Sequence, residues 1–272
     1  MFKTPDKLNH QSNIQFVINT SNMTYRCAKE CYVSHSFAQY VTEKDGSLYQ
    51  ADLGDAYPRS LEVTITDNYN PSDDSGEQTN SYDVINFKGT IGDNNVNASL
   101  KGLEVGNDNV LTCGTSAPHN MKVAGVTGWK KNENVFVGVI NRENGESGVV
   151  WITQDNPNKK NYSYEVLLFS KINDDRFAIL YSKENVKKNT YNIYCAVIDN
   201  SVNIIANKLV KKCSKNSYSN MTPPTFNNGK ICWVELVYKK KTVIEKWNGK
   251  KYKYKTEKHV KNVLYTLDVL IQ

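Results

Sequence analysis

S-H-S-F-A-Q-Y-V-T-E-K-D-G-S-L-Y-Q-A-D-L-G-D-A-Y-P-R-S, residues 34–60, is the stretch on which the fold turns. Two alternating runs, Ser36–Val41 and Ser47–Leu53, flank Lys44-Asp45-Gly46, and a third, Leu61–Thr66, follows Pro58-Arg59. Side chains of period two broken by an Asp-Gly turn specify a β-hairpin, so the segment predicts a three-stranded antiparallel meander. The device recurs along the chain. Val96–Val105 and Val110–Thr115 flank Gly106-Asn107-Asp108-Asn109, and Val135–Asn141 faces Val149–Thr153 across Arg142–Gly148. Ser163–Ser170, Arg176–Tyr181, Tyr191–Ile198 and Val202–Leu209 continue it. The last set predicted is Lys230–Tyr238, Thr242–Trp247, Lys251–Thr256 and Val263–Ile271.

Aligned on Ser36-Phe37, Asn109-Val110, Arg176-Phe177 and Lys230-Ile231, the sets recur at intervals that suit blades of four strands. Look-alike hairpins favour radial repetition over a two-sheet sandwich, which has no need of them. The expectation is an all-β chain forming one β-propeller domain over residues 1–272, five blades favoured, six if 82–105 adds one. Residues 1–11 are expected to be irregular, 67–81 a surface loop, and Thr20–Tyr32 a loop. Asn13–Asn19 is expected to pair with Val263–Ile271 and close the ring.

Composition agrees. The 272 residues are 39% hydrophobic with 17 tyrosines, as suits short pleated strands joined by polar turns. Net charge is +6, concentrated between Lys239 and Lys261, where Trp247, Tyr252 and Tyr254 alternate with lysines. Such interleaving is also a nucleic-acid pattern, but lysines on a solvated sheet face explain it more simply, so no nucleic-acid partner is expected. Six cysteines are spaced irregularly: Cys27 and Cys31 admit a local disulfide, while Cys113, Cys195 and Cys232 lie in apolar strands as buried thiols. No second pair or histidines follow at zinc spacing, and neither a phosphate-binding glycine loop nor a serine nucleophile elbow is present, so no metal, cofactor or catalytic residue is assigned. Met1–Pro5 does not open a signal peptide, as befits an excised module, and no apolar run reaches membrane-spanning length. Five N-x-S/T acceptors (Asn19, Asn22, Asn97, Asn161, Asn220) are compatible with secretion.

The segments H-Q-S-N-I-Q-F-V-I (10–18), V-S-H-S-F-A-Q-Y-V (33–41), G-D-A-Y-P-R-S (54–60), G-T-S-A-P-H (114–119), N-V-F-V-G-V (134–139), V-V-W-I-T-Q (149–154), D-D-R-F-A-I-L-Y (174–181) and G-K-I-C-W-V (229–234) resemble β-propeller modules. The modules they look like are those of large secreted or surface-attached proteins of gut anaerobes, clostridial-type bacteria and anaerobic fungi. The resemblance implies an extracellular, modular context in which a monomeric unit of a larger chain docks partner proteins or holds a glycan.

Candidate site residues follow from convergence. His10, His35 and His119 stand beside small polar residues at strand or corner starts, where they either share a polar site or satisfy backbone groups at blade corners. Asp52 and Asp55 with Tyr57 and Arg59 form the densest polar cluster. Paired carboxylates suit a glycosidase, but both lie on one short segment, and turn capping by Asp55 with a bidentate Arg59 pair is the simpler account. Trp129 and Trp247 flank turns and are the indoles expected to be exposed, against a sugar or a protein; Trp151 and Trp233 are expected in the core. The resulting expectation is a non-enzymatic extracellular module that binds another protein, as in a cellulosome-type scaffold, through a face carrying His35, Gln39, Asp55, Tyr57, Arg59 and His119. A carbohydrate-binding propeller is the alternative, and a glycoside-active enzyme the third.

Overall fold

The structure, a computed structural model, describes residues 13–31, 38–54, 59–70, 77–87, 98–116, 134–155, 162–247 and 252–269. The opening meander is present. Strands β3 (Ala38–Lys44), β4 (Ser47–Leu53), β5 (Arg59–Asp67) and β6 (Gln78–Phe87) form one antiparallel sheet in chain order. Asp45 and Gly46 both take positive φ, 55° and 75°, which joins Lys44 directly to Ser47 through a two-residue turn of the kind that matches strand twist. Asn228 and Gly229, at 47° and 75°, repeat the device between β15 (Thr225–Asn227) and β16 (Lys230–Trp247).

Two further sheets copy the first. β7 (Ala98–Val105), β8 (Asn109–Ser116), β9 (Asn134–Asn141) and β10 (Ser147–Trp151) make the second, and β11 (Tyr162–Asn173), β12 (Arg176–Asn185), β13 (Thr190–Asp199) and β14 (Ile204–Ser214) the third. A five-residue helix, α1 (Lys215–Ser219), then leads to the sheet of β15, β16 and β17 (Tyr252–Asp268).

Alternation explains how the sheets stack. In β8 every residue is buried, because Val110 points into a cluster shared with the first sheet (Leu61, Val63, Phe136, Ile140) while Leu111 and Cys113 point into one shared with the third (Val166, Phe177, Ile179). The third sheet does the same: Phe177 and Ile179 face the second, Ala178 and Leu180 face Ile231 and Trp233 of the fourth. First strands β3, β7 and β11 lie side by side. Consecutive sheets packed face on face with their first strands adjacent are the arrangement of propeller blades.

Several expectations are corrected. β1 (Asn13–Asn19) pairs with β2 (Thr24–Cys31), not with the C-terminal strand, and β17 pairs with β16, so the expected closure by the two termini is absent among the described residues. Thr20–Tyr32 was expected as a loop, yet Thr24–Cys31 is extended. Only the backbones of Cys27 and Cys31 are described, so the expected local disulfide between their side chains lies outside the described residues. Cys113, Cys195, Cys213 and Cys232 are free thiols. Burial raises the Cys195 and Cys213 thiols to about 11, so they stay protonated at neutral pH. The four short C-terminal strands are two long ones, because Lys239-Lys240-Lys241 contains no residue that turns a chain. The repeat was also out of phase: Asn109, Arg176 and Lys230 open second strands, and their counterpart is Ser47, not Ser36. Trp233 is in the core as expected, and Trp151 is half-buried with its ring edge on Phe136 at 6.0 Å.

Gly106 shows how tightly the turns meet. A Cβ there would lie 2.0 Å from Asn200 Oδ1 and 3.0 Å from the Asp174 carbonyl. Gly106→Ala is expected to cost about 1–3 kcal/mol, the range for overpacking. Gly148→Ala, with nothing within 4 Å, should change stability by no more than about 1 kcal/mol. Urea unfolding checks both, and equal effects at the two positions would refute the close approach.

Candidate functional site

The turns between first and second strands of three sheets gather at one end of the stack. Lys44 Nζ donates to the Gly106 carbonyl at 3.0 Å and pairs with Asp174 at 3.0 Å. Lys171 Nζ reaches the same carboxylate at 3.0 Å, and the Asn107 amide donates to the Asp174 carbonyl at 3.2 Å. Hydrogen bonds from Lys44 and then Lys171 hold the Asp174 carboxyl below the ordinary carboxylate range. Arg142, from the β9–β10 turn, spreads its guanidinium over the carbonyls of Gly106 (3.2 Å) and Asn107 (2.9 Å) and reaches Asp45 at 3.4 Å.

Beside this network lies a pocket of ≈ 400 Å³ between the first and second sheets. Its apolar surface is Tyr49, Tyr82 and Ile65; the Tyr49 ring carries the Arg142 guanidinium 5.6 Å above its centre. Three carboxylates face it. Asp67 accepts from Ser47 Oγ at 2.8 Å, Asp108 accepts from Asn200 Nδ2 at 3.0 Å, and Glu143 is exposed. The side chains of Asn107 and Asn141 complete the wall; Asn141 Oδ1 accepts from the Glu143 and Asn144 amides, which fixes that turn. Because the guanidinium donors are directed at two carbonyls and Asp45, the pocket offers mainly acceptors and an aromatic surface to a guest.

Of the expected site residues, the Gln39–Asp52 pair is described in full. Gln39 and Asp52 are cross-strand partners, and Asp52 is 1% exposed, accepting from Gln39 Nε2 at 2.9 Å and from Gln50 Nε2 at 2.5 Å. Five residues of strand, about 17 Å, separate Asp52 from Ser47 at the pocket, so the structure does not bring the Gln39–Asp52 pair to it. Arg59 opens β5 opposite Phe87 and Trp247 ends β16 opposite Tyr252, with only their backbones described. His10, His35, Asp55, Tyr57, His119 and Trp129 lie outside the described residues. Asp67, Asp108, Arg142 and Glu143 do not stand out in the sequence, where each reads as an ordinary turn residue. The signal that would have found them is their shared place in the repeat, at strand ends on one side of the sheets.

A second charged cluster occupies the third sheet. Asp155 Oδ2 accepts from Tyr164 at 2.7 Å and from Lys183 at 2.6 Å, and Lys183 Nζ sits 4.2 Å from the centre of the Tyr162 ring. Burial pulls the Asp155 carboxyl up, but hydrogen bonds from Lys183 and Tyr164 outweigh it and leave the pKa below the ordinary value. Among the described residues no group of three or more His, Cys, Asp or Glu side chains is placed to hold a metal, and no helix is long and apolar enough to cross a membrane.

No family model matches the chain, and no curated protein does. Solved structures similar to it include the GH93 α-L-arabinofuranosidase of Fusarium graminearum with arabinobiose (12% identity, TM-score 0.43, 94% of this chain and 70% of that one). The GH32 β-fructofuranosidase of Bombyx mori matches at 10% identity and TM-score 0.38, over 91% of this chain and 48% of that one. The Trypanosoma rangeli sialidase in complex with the inhibitor DANA matches at 12% and 0.40, over 89% and 42%. Against the expectations of a non-catalytic protein-docking module and of a chain without enzymatic activity, all three of these similar structures are glycoside hydrolases. They likewise supply no counterpart for a scaffold protein of gut anaerobes.

The depressed Asp155 carboxyl has a defined consequence for pH. A carboxylate whose folded pKa lies below its unfolded value of 3.8 adds stability above that value and loses it as pH falls through the folded one. The stability gap between wild type and Asp155→Asn, from urea unfolding, should therefore be widest at neutral pH and shrink below about pH 4. A gap that is constant between pH 7 and pH 3 would contradict the assignment.

Proposed function

We propose that this chain is a carbohydrate-directed β-propeller protein whose pocket between the first two sheets holds one saccharide unit. The observation that carries this reading is the pocket's composition. A volume of ≈ 400 Å³ falls within the range of small-ligand sites and joins the half-buried Tyr82 ring to the carboxylates of Asp67, Asp108 and Glu143. Sugar hydroxyls donate to carboxylates, and the C–H face of a pyranose or furanose packs against an aromatic ring. Acceptors dominate the rim and the only guanidinium of the pocket is engaged, which suits a neutral sugar better than an acidic one.

Glycoside cleavage is the second reading. Hydrolysis of a glycosidic bond uses one carboxyl as acid and another as base or nucleophile, and three carboxylates around one cavity supply that inventory. We extend the proposal to a ring of five blades acting outside the cell with a glycan as its partner; the repeated four-stranded sheets and the N-x-S/T acceptors support it.

Calorimetric titration with a panel of mono- and disaccharides tests the reading. A binding sugar is expected, with affinity weakened about tenfold or more in Asp67→Asn or Glu143→Gln, since a hydrogen bond to a charged group contributes about 1.5–3 kcal/mol. Release of aryl aglycones from a glycoside panel, abolished by the same substitutions, would establish cleavage. If no sugar binds, or binding ignores both substitutions, the pocket is not a saccharide site.

A further inference from the structure

The charge of this protein is not spread over it. Residues 237–261 carry ten lysines and two glutamates, a formal +8, while the whole chain is +6, so everything else sums to −2. The structure places its described residues, 237–247 and 252–261, on a two-stranded ribbon. β15 pairs only with Lys230–Cys232 of β16, Met221 bridges Glu235, and Leu236 N donates to the Asn220 carbonyl. Beyond Leu236, among the described residues, β16 and β17 have only each other, over roughly 35 Å at 3.3 Å per residue.

Register decides how the lysines are arranged along the ribbon. Lys240 stands directly opposite Lys258, Lys246 opposite Lys253 and Lys239 opposite His259, whereas beyond Leu236 Lys241 with Glu257 is the one described pair of opposite charge. Like charges directly across a ladder destabilise it, and a ribbon needing only solubility could place glutamates at half these positions. Residues on one face include Tyr238, Lys240, Thr242 and Ile244, with Tyr254, Thr256 and Lys258 across from them, so aromatics and lysines share a face. No arginine occurs in the stretch. The guanidinium fork that most often reads guanine edges is therefore missing, whereas the ammonium suffices as a point charge for sulfate or carboxylate.

We propose that the ribbon formed by β16 and β17 beyond Leu236 is a binding arm for an anionic polysaccharide. Its lysines contact sulfate or carboxylate groups along the polymer, and its rings pack against sugar faces. The choice of polysaccharide over nucleic acid rests in part on the saccharide reading of the pocket, but the arm and the pocket are separate surfaces and fail separately. The pocket lacks basic donors free for an anion; the arm has little else.

The test uses the full chain and a variant in which Lys240, Lys246, Lys253 and Lys258 are replaced by glutamine. The probes are heparin as a sulfated polymer, polygalacturonate as a carboxylated one, laminarin as a neutral one, and a double-stranded DNA of random sequence. The wild type should bind heparin or polygalacturonate and ignore laminarin, with affinity falling as salt rises. The quadruple variant should lose at least tenfold. Its melting temperature should be unchanged or higher, because two repulsive pairs have been relieved; this separates loss of a ligand contact from loss of fold. Asp67→Asn should bind heparin as the wild type does, even if the pocket proves to hold no sugar. Tighter binding of DNA than of either acidic polysaccharide, equal binding by variant and wild type, or no binding of either acidic polymer overturns the proposal.

Discussion

One ammonium group holds the ends of three sheets together. Lys44 leaves the last residue of β3, yet its Nζ is bonded to the Gly106 carbonyl of the second sheet and to the Asp174 carboxylate of the third. The lysine side chain is only 15% exposed, so water competes weakly for it, and breaking the arrangement would leave the Gly106 carbonyl to Arg142 alone and the Asp174 carboxylate to Lys171 alone, with no side chain bridging all three sheets at that point. Arg142 repeats the logic from the other side, covering the carbonyls of Gly106 and Asn107. Turn carbonyls that would otherwise face solvent are thus made into acceptors for cations of neighbouring sheets. The apolar clusters between faces provide most of the burial, but they are non-directional; the cations fix how the sheet ends meet.

The pocket is a product of that meeting. Where Lys44 and Arg142 draw the turns together, the first and second sheets leave a gap whose walls are strand ends, and strand ends carry Asp, Asn and Ser for turn chemistry. The acceptors that line the pocket are thus the turn residues themselves, turned toward a common space. Gly106 belongs to the same design, since Asn200 Oδ1 occupies the place of a side chain there while Asn200 Nδ2 orients Asp108. The buried Asp52, amide-bound at the far end of β4, has no part in it.

Strand identity was legible because it is local. Alternation and the Asp-Gly and Asn-Gly turns locate β3, β4, β8, β9, β12 and β13 within a few residues, and Val110 and Leu111 on opposite faces account for a continuous apolar run in a sheet covered on both sides. The C-terminal arm was not legible, because a run of lysines resembles a loop by polarity while having no turn-former, and backbone pairing carried two strands straight through it. The candidate pocket is not legible for a different reason: Asp67, Asp108 and Glu143 come from different hairpins and meet only through the stacking of two sheets, whereas proximity in sequence singles out Asp52, Asp55, Tyr57 and Arg59, of which Asp55 and Tyr57 lie outside the described residues.

If the cations order the turns, removing one should be felt beyond its own contacts. Amide hydrogen exchange of Lys44→Met, read at Gly106, Asn107 and Arg142, is the direct measurement. The account predicts faster exchange at all three, including Arg142, whose amide donates to the Asp108 carbonyl and is not touched by Lys44. Wild-type protection at these amides in the variant would show that packing alone positions the turns and would contradict the account.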